Sequence, residues 1–304
     1  MRALFETIVQ MEFIMTAIEL SVPLVLAALA ALITNKAGIL NIGIEGSMLM
    51  GALMGAVVGY QTGSVMLGLL AAIAIGAFLG LLMSVFVNKF KINHILVGIA
   101  FNLLAAGLAI FIIYVRTGTK GDHPSVSIPT WTVPYLSDLP IVGPLLFGQN
   151  LMVYLTVVAA VVIAVVLSRT KLGMHIKAVG ENVEAAESVG INAFKIQSYA
   201  LLIGGVLAGL GGAFMSMAYM STFNTGMIAG RGFIGIAAES MGAGIVGNTV
   251  LASAVFGFVN TFAVTAQVTL RIPFELLNTL PYLVTILALV IYAMRKRRKQ
   301  VKQP

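Results

Sequence analysis

A chain of 304 residues that is 59% hydrophobic and only 10% charged, with a mean hydropathy of +1.02, lacks the polar groups to clothe a soluble surface, which takes about 25% charged residues in an ordinary globular domain. It has no cysteine and only three histidines (His94, His123 and His175), none close to another in sequence, so disulfides, thiol catalysis and thiolate metal sites are excluded and no histidine metal pair is suggested. The net charge of +7 comes from basic residues beside apolar stretches, where membrane orientation explains it better than nucleic-acid binding.

Taken in order, the apolar stretches predict an all-α, polytopic transmembrane helical bundle forming a single transmembrane domain over 1–304. Spans are expected at roughly 17–34, 45–60, 64–87, 93–115, 151–168, 196–220, 231–247, 249–268 and 279–294, each long enough or nearly so for a hydrocarbon core of about 30 Å. The pattern gives about nine spans, and eight to ten fit it. Residues 1–16 are apolar but interrupted by Glu6 and Glu12, which suits an interfacial helix or the start of an over-long first span. No cleavage site is evident where the first apolar run leads into "LITNKAGILNIG".

Charge orients the map. The tail 295–304 opens "RKRRKQVK" and is expected in the cytoplasm. Counting spans backwards puts Arg169, Lys171, Lys177, Lys195, Lys36, Lys89 and Lys91 on the same side. Arg2, Arg116, Lys120, Arg231 and Arg271 are left outside, so thirteen of the 18 basic residues lie within. Residues 116–150 then form the largest extracytoplasmic loop, too rich in proline for a long helix, with Trp131 and Tyr135 suited to interfacial anchoring. Glycines at helical spacing (Gly51, Gly55 and Gly59; Gly76 and Gly80; Gly205 and Gly209) are read first as close helix packing.

Residues 169–195 form a cytoplasmic loop too polar to cross a bilayer. Asn182 can cap a short helix over about 183–189, Glu184 complements its dipole, and Gly190 can close it. Seven residues are marginal alone in water. Either this is an ordinary surface helix, or Ala185, Ala186 and Val189 make it a small docking knob for a cytoplasmic partner.

Polar residues within the spans are the remaining candidates. Gly38 and Gly43 can break a helix in "NKAGILNIGI", which places Asn41 and Glu45 at a gate, or makes Glu45 the brace of the break. Asn102 and Asn260 suit either substrate hydrogen bonding or a helix–helix bond. Phe101, Phe223 and Phe233 offer stacking faces or simply core, and no ion pair between Glu239 and Arg231 is expected.

Four stretches carry a family resemblance. "AVGENVEAAESVGIN" resembles the coupling loop of ATP-binding-cassette importer permeases, in the superfamily of branched-chain amino acid, ribose and nucleoside permeases. "TNKAGILNIGIEGSMLMGA" (34–52) resembles the Asn-x-Gly-x-Glu-Gly signature of the nucleoside (simple sugar-type) branch, where other sugar permeases tend to have Asp-Leu-Ser. "AGRGFIGIAAESMG" (229–242) and "LPYLVTILALVIYAMRKRR" resemble later segments of the same branch. The resemblance implies a multi-pass permease of the bacterial cytoplasmic membrane, importing nucleosides without being an enzyme. Its implied partners are a separate ATPase subunit that holds ATP and Mg, a homologous second permease, and an extracytoplasmic binding lipoprotein. Gly180, Glu181, Asn182, Glu184, Ala185, Ala186, Glu187 and Gly190 would couple to the ATPase, and Asn41, Glu45, Phe101, Asn102, Glu239 and Asn260 would line the path or its gate. No cofactor and no catalytic residue are expected, in keeping with the absence of a Gly-Lys phosphate loop. Alternatives are the same type of importer for simple sugars or branched-chain amino acids, or an ion-coupled secondary transporter, which would need facing ionisable groups at mid-membrane.

Overall fold

A helix that is apolar on every side must be buried on every side, and the first helix obeys this. In a computed structural model describing residues 11–118, 121–130, 148–270 and Val290, α1 (Met11–Lys36) is sheathed almost continuously from Leu20 to Thr34. Residues 11–16 continue it, so they belong to an over-long first helix. Around it stand α2 (Ile44–Thr62), α3 (Val65–Ser84), α4 (His94–Thr117), α5 (Leu151–Arg169), α8 (Ala193–Ala213) and α10 (Val246–Leu270). Wide π-type turns prolong α3 over Val85–Lys89 and α8 over Phe214–Tyr219. Side-chain amides close several helix starts: Asn93 Oδ1 accepts from Ile95 N–H at 2.8 Å and Asn150 Oδ1 from Met152 N–H at 3.0 Å.

Six of the described helices are long and apolar enough to cross a membrane: Met11–Lys36, Val65–Lys89, His94–Thr117, Leu151–Arg169, Ala193–Tyr219 and Val246–Gln267. Large apolar side chains such as Phe78 on α3, Leu103 on α4 and Val157 on α5 point outward, as a lipid-facing surface requires. α2 is not among the six; it carries Glu45 in its first turn and is buried along most of its length.

Glycine spacing does the work expected of it. Gly51 meets the backbone of Gly209, Gly76 that of Gly205, and Gly80 the carbonyl of Leu201, each so closely that a Cβ would collide. Helices α2, α3 and α8 thus touch backbone to backbone, the approach that only small residues permit.

One expectation is corrected here. The stretch 231–247 is not one span: α9 (Arg231–Gly242) has 12 residues, about 18 Å at 1.5 Å per residue against a core of about 30 Å, and α10 starts at Val246. Before α9 the chain runs irregularly through 224–230, with Met227 and Ile228 buried and Asn224, Gly226 and Ala229 exposed. Arg231 lies at the start of α9, beside Glu45.

At the end of the bundle away from Lys36, β1 (His123–Pro124) pairs antiparallel with β2 (Thr222–Phe223). Ser125 N–H donates to Ser221 O at 3.1 Å, Ile128 N–H to Met217 O at 2.8 Å, and Asn224 Nδ2 to Asp122 Oδ1 at 2.7 Å. Trp131 and Tyr135, the stretch 279–294 apart from Val290, and the tail 295–304 lie outside the described residues.

Candidate functional site

The predicted break between the first two helices is real and occupies residues 37–43. Gly38, at φ +81°, turns the chain in the left-handed region that other residues avoid. Asn102 spans the break from α4, its Nδ2 donating to Ile42 O at 3.0 Å and its Oδ1 accepting from Gly46 N–H at 2.8 Å. Both ends of this side-chain amide are therefore engaged in bracing. Gly98, one turn before, lets α4 approach until a Cβ there would meet Gly43 N at 2.8 Å.

Glu45 braces a different element. Its Oε1 accepts from Gly230 N–H at 2.8 Å and its Oε2 from Gly232 N–H at 2.7 Å. A carboxylate on one helix thus caps the free N–H groups at the start of another, α9, where the helix dipole favours negative charge. Gly232 is required for the fit, since a Cβ there would stand 2.7 Å from both Glu45 N and Oε2. Arg231 turns back, Nη1 donating to Met227 O at 2.9 Å and Ile228 O at 3.1 Å. Of the expected gate residues, Asn41 sits in the break with its Oδ1 buried and without a hydrogen-bond partner among the described residues.

The others lie apart. Phe101 is buried edge-on to Phe86, ring centres 6.1 Å apart, and is core. Phe223 is buried and Phe233 half-exposed. Asn260 is partly buried far along α10 and is not brought to the break. Glu239, at the far end of α9, is buried and accepts from Asn35 Nδ2 at 3.0 Å. It borders a polar cavity of about 640 Å³ at the Lys36 end, shared with Lys36, Lys177, Gly180 and Glu181.

In the loop, Asn182 caps as expected: its Oδ1 accepts from Ala185 N–H at 2.9 Å, opening α7 (Val183–Ser188). Gly190 closes α7 at φ +86°, with Gly190 N–H to Glu187 O at 2.9 Å and Ile191 N–H to Ala186 O at 3.0 Å, the paired bonds of a Schellman motif. Glu181, Glu184, Ala185, Glu187 and Val189 are exposed. Ala186, expected on the outward face, is instead buried and pins α7 to the bundle. Gly180 is exposed, yet a Cβ on it would run into the Lys36 carbonyl oxygen.

Sequence reading missed α6 (Lys171–Glu181) in this loop. Thr170 caps it, Oγ1 accepting from Gly173 N–H at 3.2 Å, and Gly173, Ile176 and Val179 form its buried stripe. That three-residue spacing was available as a helical signal. Gln197, whose Nε2 donates to Ala37 O at 3.1 Å, was also missed, because nothing local in the sequence points at its partner.

Comparison with known proteins agrees with this architecture. The nucleoside permease NupC of Lactococcus lactis is 32% identical over 90% of this chain and 89% of its own length. The guanosine permease NupQ of Bacillus subtilis is 32% identical over 88% of this chain and 87% of its own. A putative glucose permease of Haloferax volcanii is 38% identical, over 70% of this chain and 65% of its own length. The fold resembles a chain of PsaBC from Streptococcus pneumoniae in complex with Fab, with a TM-score of 0.55 over 94% of both chains at 11% identity. The profile described as "Branched-chain amino acid transport system / permease component" matches residues 13–291, and the chain belongs to that family of membrane permeases.

Proposed function

We propose that the chain is the membrane-spanning subunit of an ATP-driven nucleoside importer. A separate ATPase docks on residues 169–195, a homologous second permease completes the path, and an extracytoplasmic lipoprotein delivers substrate. ATP and Mg belong to the ATPase. The Lys36 end, with the 169–195 loop and the C-terminal tail, faces the cytoplasm, and the β1–β2 end faces outward, as the excess of Lys and Arg on the loops supports.

The observation that carries this reading against ion coupling is where the buried carboxylates go. An ion-driven carrier needs an ionisable group open to the coupling ion at mid-membrane. Glu45 is committed to two backbone N–H groups of α9, and Glu239 borders the cavity at the Lys36 end, bonded to Asn35, rather than at the middle of the bundle. The nucleoside assignment rests on the two permeases named for nucleosides and guanosine, each similar over nearly the whole chain. The putative glucose permease favours simple sugars as the second reading.

Uptake of radiolabelled uridine, adenosine and guanosine in cells expressing this chain with its neighbouring operon products tests both levels. Uptake should need an intact ATPase and be outcompeted by unlabelled nucleosides but not by ribose, glucose or leucine. Competition by glucose alone would move the cargo to sugars. Uptake that survives ATPase loss but collapses with an uncoupler would refute the class.

A further inference from the structure

Half-helix α9 has a charged side chain beside each end, and both charges flank the same helix break. Glu45, just after the break, caps the N-terminus through Gly230 and Gly232. Lys36, just before it, lays its Nζ and Cε where a Cβ on Gly244 would sit, immediately past the C-terminus of α9. An anion at the start and a cation at the end both complement the helix dipole. Asn35 adds a third tie through Glu239. Gly235 brings the middle of α9 against Ala27 and Ala28 of α1 with no room for a Cβ.

The break is also what the 169–195 loop touches. Gly180, at the end of α6, packs on the Lys36 carbonyl so tightly that a Cβ would collide. A Cβ on Gly38 would meet Gly180 Cα at 3.4 Å. Gln197, in the first turns of α8, fixes the intervening Ala37 carbonyl at 3.1 Å. Residues 36–38 are thus gripped by the loop through backbone contact, while the side chains of Lys36 and Asn35 reach α9 across the polar cavity. Contact between backbones has no side-chain rotamer to absorb a displacement, so movement of α6 is passed on.

We infer that Lys36 and Gly180 are positioning residues for transport: they make α6, the turn at 36–38 and α9 move as one body, so that displacement of the loop reorients α9. The inference rests on the permease reading. It concerns how the loop's motion reaches the membrane segment and goes beyond where the ATPase docks.

The test uses the whole transporter (this chain with its ATPase, second permease and binding protein) in proteoliposomes. Uridine and guanosine uptake and ATP hydrolysis are measured together for Lys36→Gln, Lys36→Arg and Gly180→Ala. A brace that only stabilises the fold scales uptake and hydrolysis together. Loss of coupling lowers nucleoside moved per ATP. The expected fall is about tenfold for Lys36→Gln and Gly180→Ala, within the range usual for coupled sites, with Lys36→Arg close to wild type. An unchanged ratio in Lys36→Gln and Gly180→Ala overturns the inference.

A second readout does not depend on the cargo. Because the chain has no native cysteine, spin labels can be placed on exposed Val189 of the loop and Ile245 beyond α9. Their separation should stay single and constant when ATP binds the wild type, and broaden in Lys36→Gln. A separation that changes in the wild type, or that is unaffected by the substitution, overturns the inference. Wild-type uptake that ignores the ATPase instead overturns the permease reading.

Discussion

Replacing Glu45 with glutamine tests the cap on α9 most directly. The carboxylate satisfies two donors, Gly230 N–H at 2.8 Å and Gly232 N–H at 2.7 Å, one on each oxygen. An amide keeps one acceptor and turns an NH2 group towards the other donor. One hydrogen bond to a charged group is lost, at about 1.5–3 kcal/mol, together with the charge opposite the helix N-terminus, at about 0.3–1 kcal/mol. The combined cost is about 2–4 kcal/mol, or roughly a 30- to 700-fold shift in the equilibrium between docked and undocked α9. The protein should still reach the membrane and bind its ATPase. Its thermal midpoint in detergent, followed by the monodisperse fraction after heating, should fall by several degrees, and uptake should slow more than about tenfold. Glutamine with wild-type melting and wild-type uptake would refute the cap.

Three further outcomes follow from the same contacts. Asn102→Ala strips partners from Gly46 N–H and Ile42 O, at about 1–3 kcal/mol for each buried backbone group; the detergent melting midpoint should drop, and an unchanged midpoint would show that water replaces the amide. Ala186→Asp puts a carboxylate into the packed side of α7, where Ala186 is 4% exposed, so uptake and ATPase capture by affinity pull-down should both fail while Glu187→Gln, on the exposed side, keeps them. Gly107→Ala is the control: a Cβ there meets nothing within 4 Å among the described residues, so it should be neutral or raise stability by about 0.5–1 kcal/mol in a melting comparison.

Much of the architecture was legible because it is written in local spacing. The glycine pairs on α2, α3 and α8 announced close packing, and the structure finds Gly51 on Gly209 and Gly76 on Gly205. Asn182 and Gly190 announced a short helix by capping chemistry alone, and both cap it. The break at 37–43 was visible in its two glycines and a polar residue. What escaped was long-range. Glu45 and Gly230 are 185 residues apart in sequence, so no pattern near Glu45 reveals that its carboxylate closes α9. The half-length of α9 escaped for a related reason: composition from 231 to 247 reads as one apolar run, whereas Ala243 and Gly244, both at positive φ, turn the chain and end the helix. Ala186 reads as part of a docking surface because small residues suit docking and close packing equally; its burial against the bundle is decided only by tertiary neighbours.

The stitching of 221–224 to 122–125 by the β1–β2 pair and by Asn224 on Asp122 has a mechanical consequence. A segment fastened at one end and pushed at the other swings about the fastening. With its outer attachment held by these bonds and its other end gripped at residues 36–38 and 244, the stretch 224–242 is a crank. A displacement applied at the Lys36 end is smallest where the stretch is fastened, so the bonds at 221–224 set the point about which it can turn.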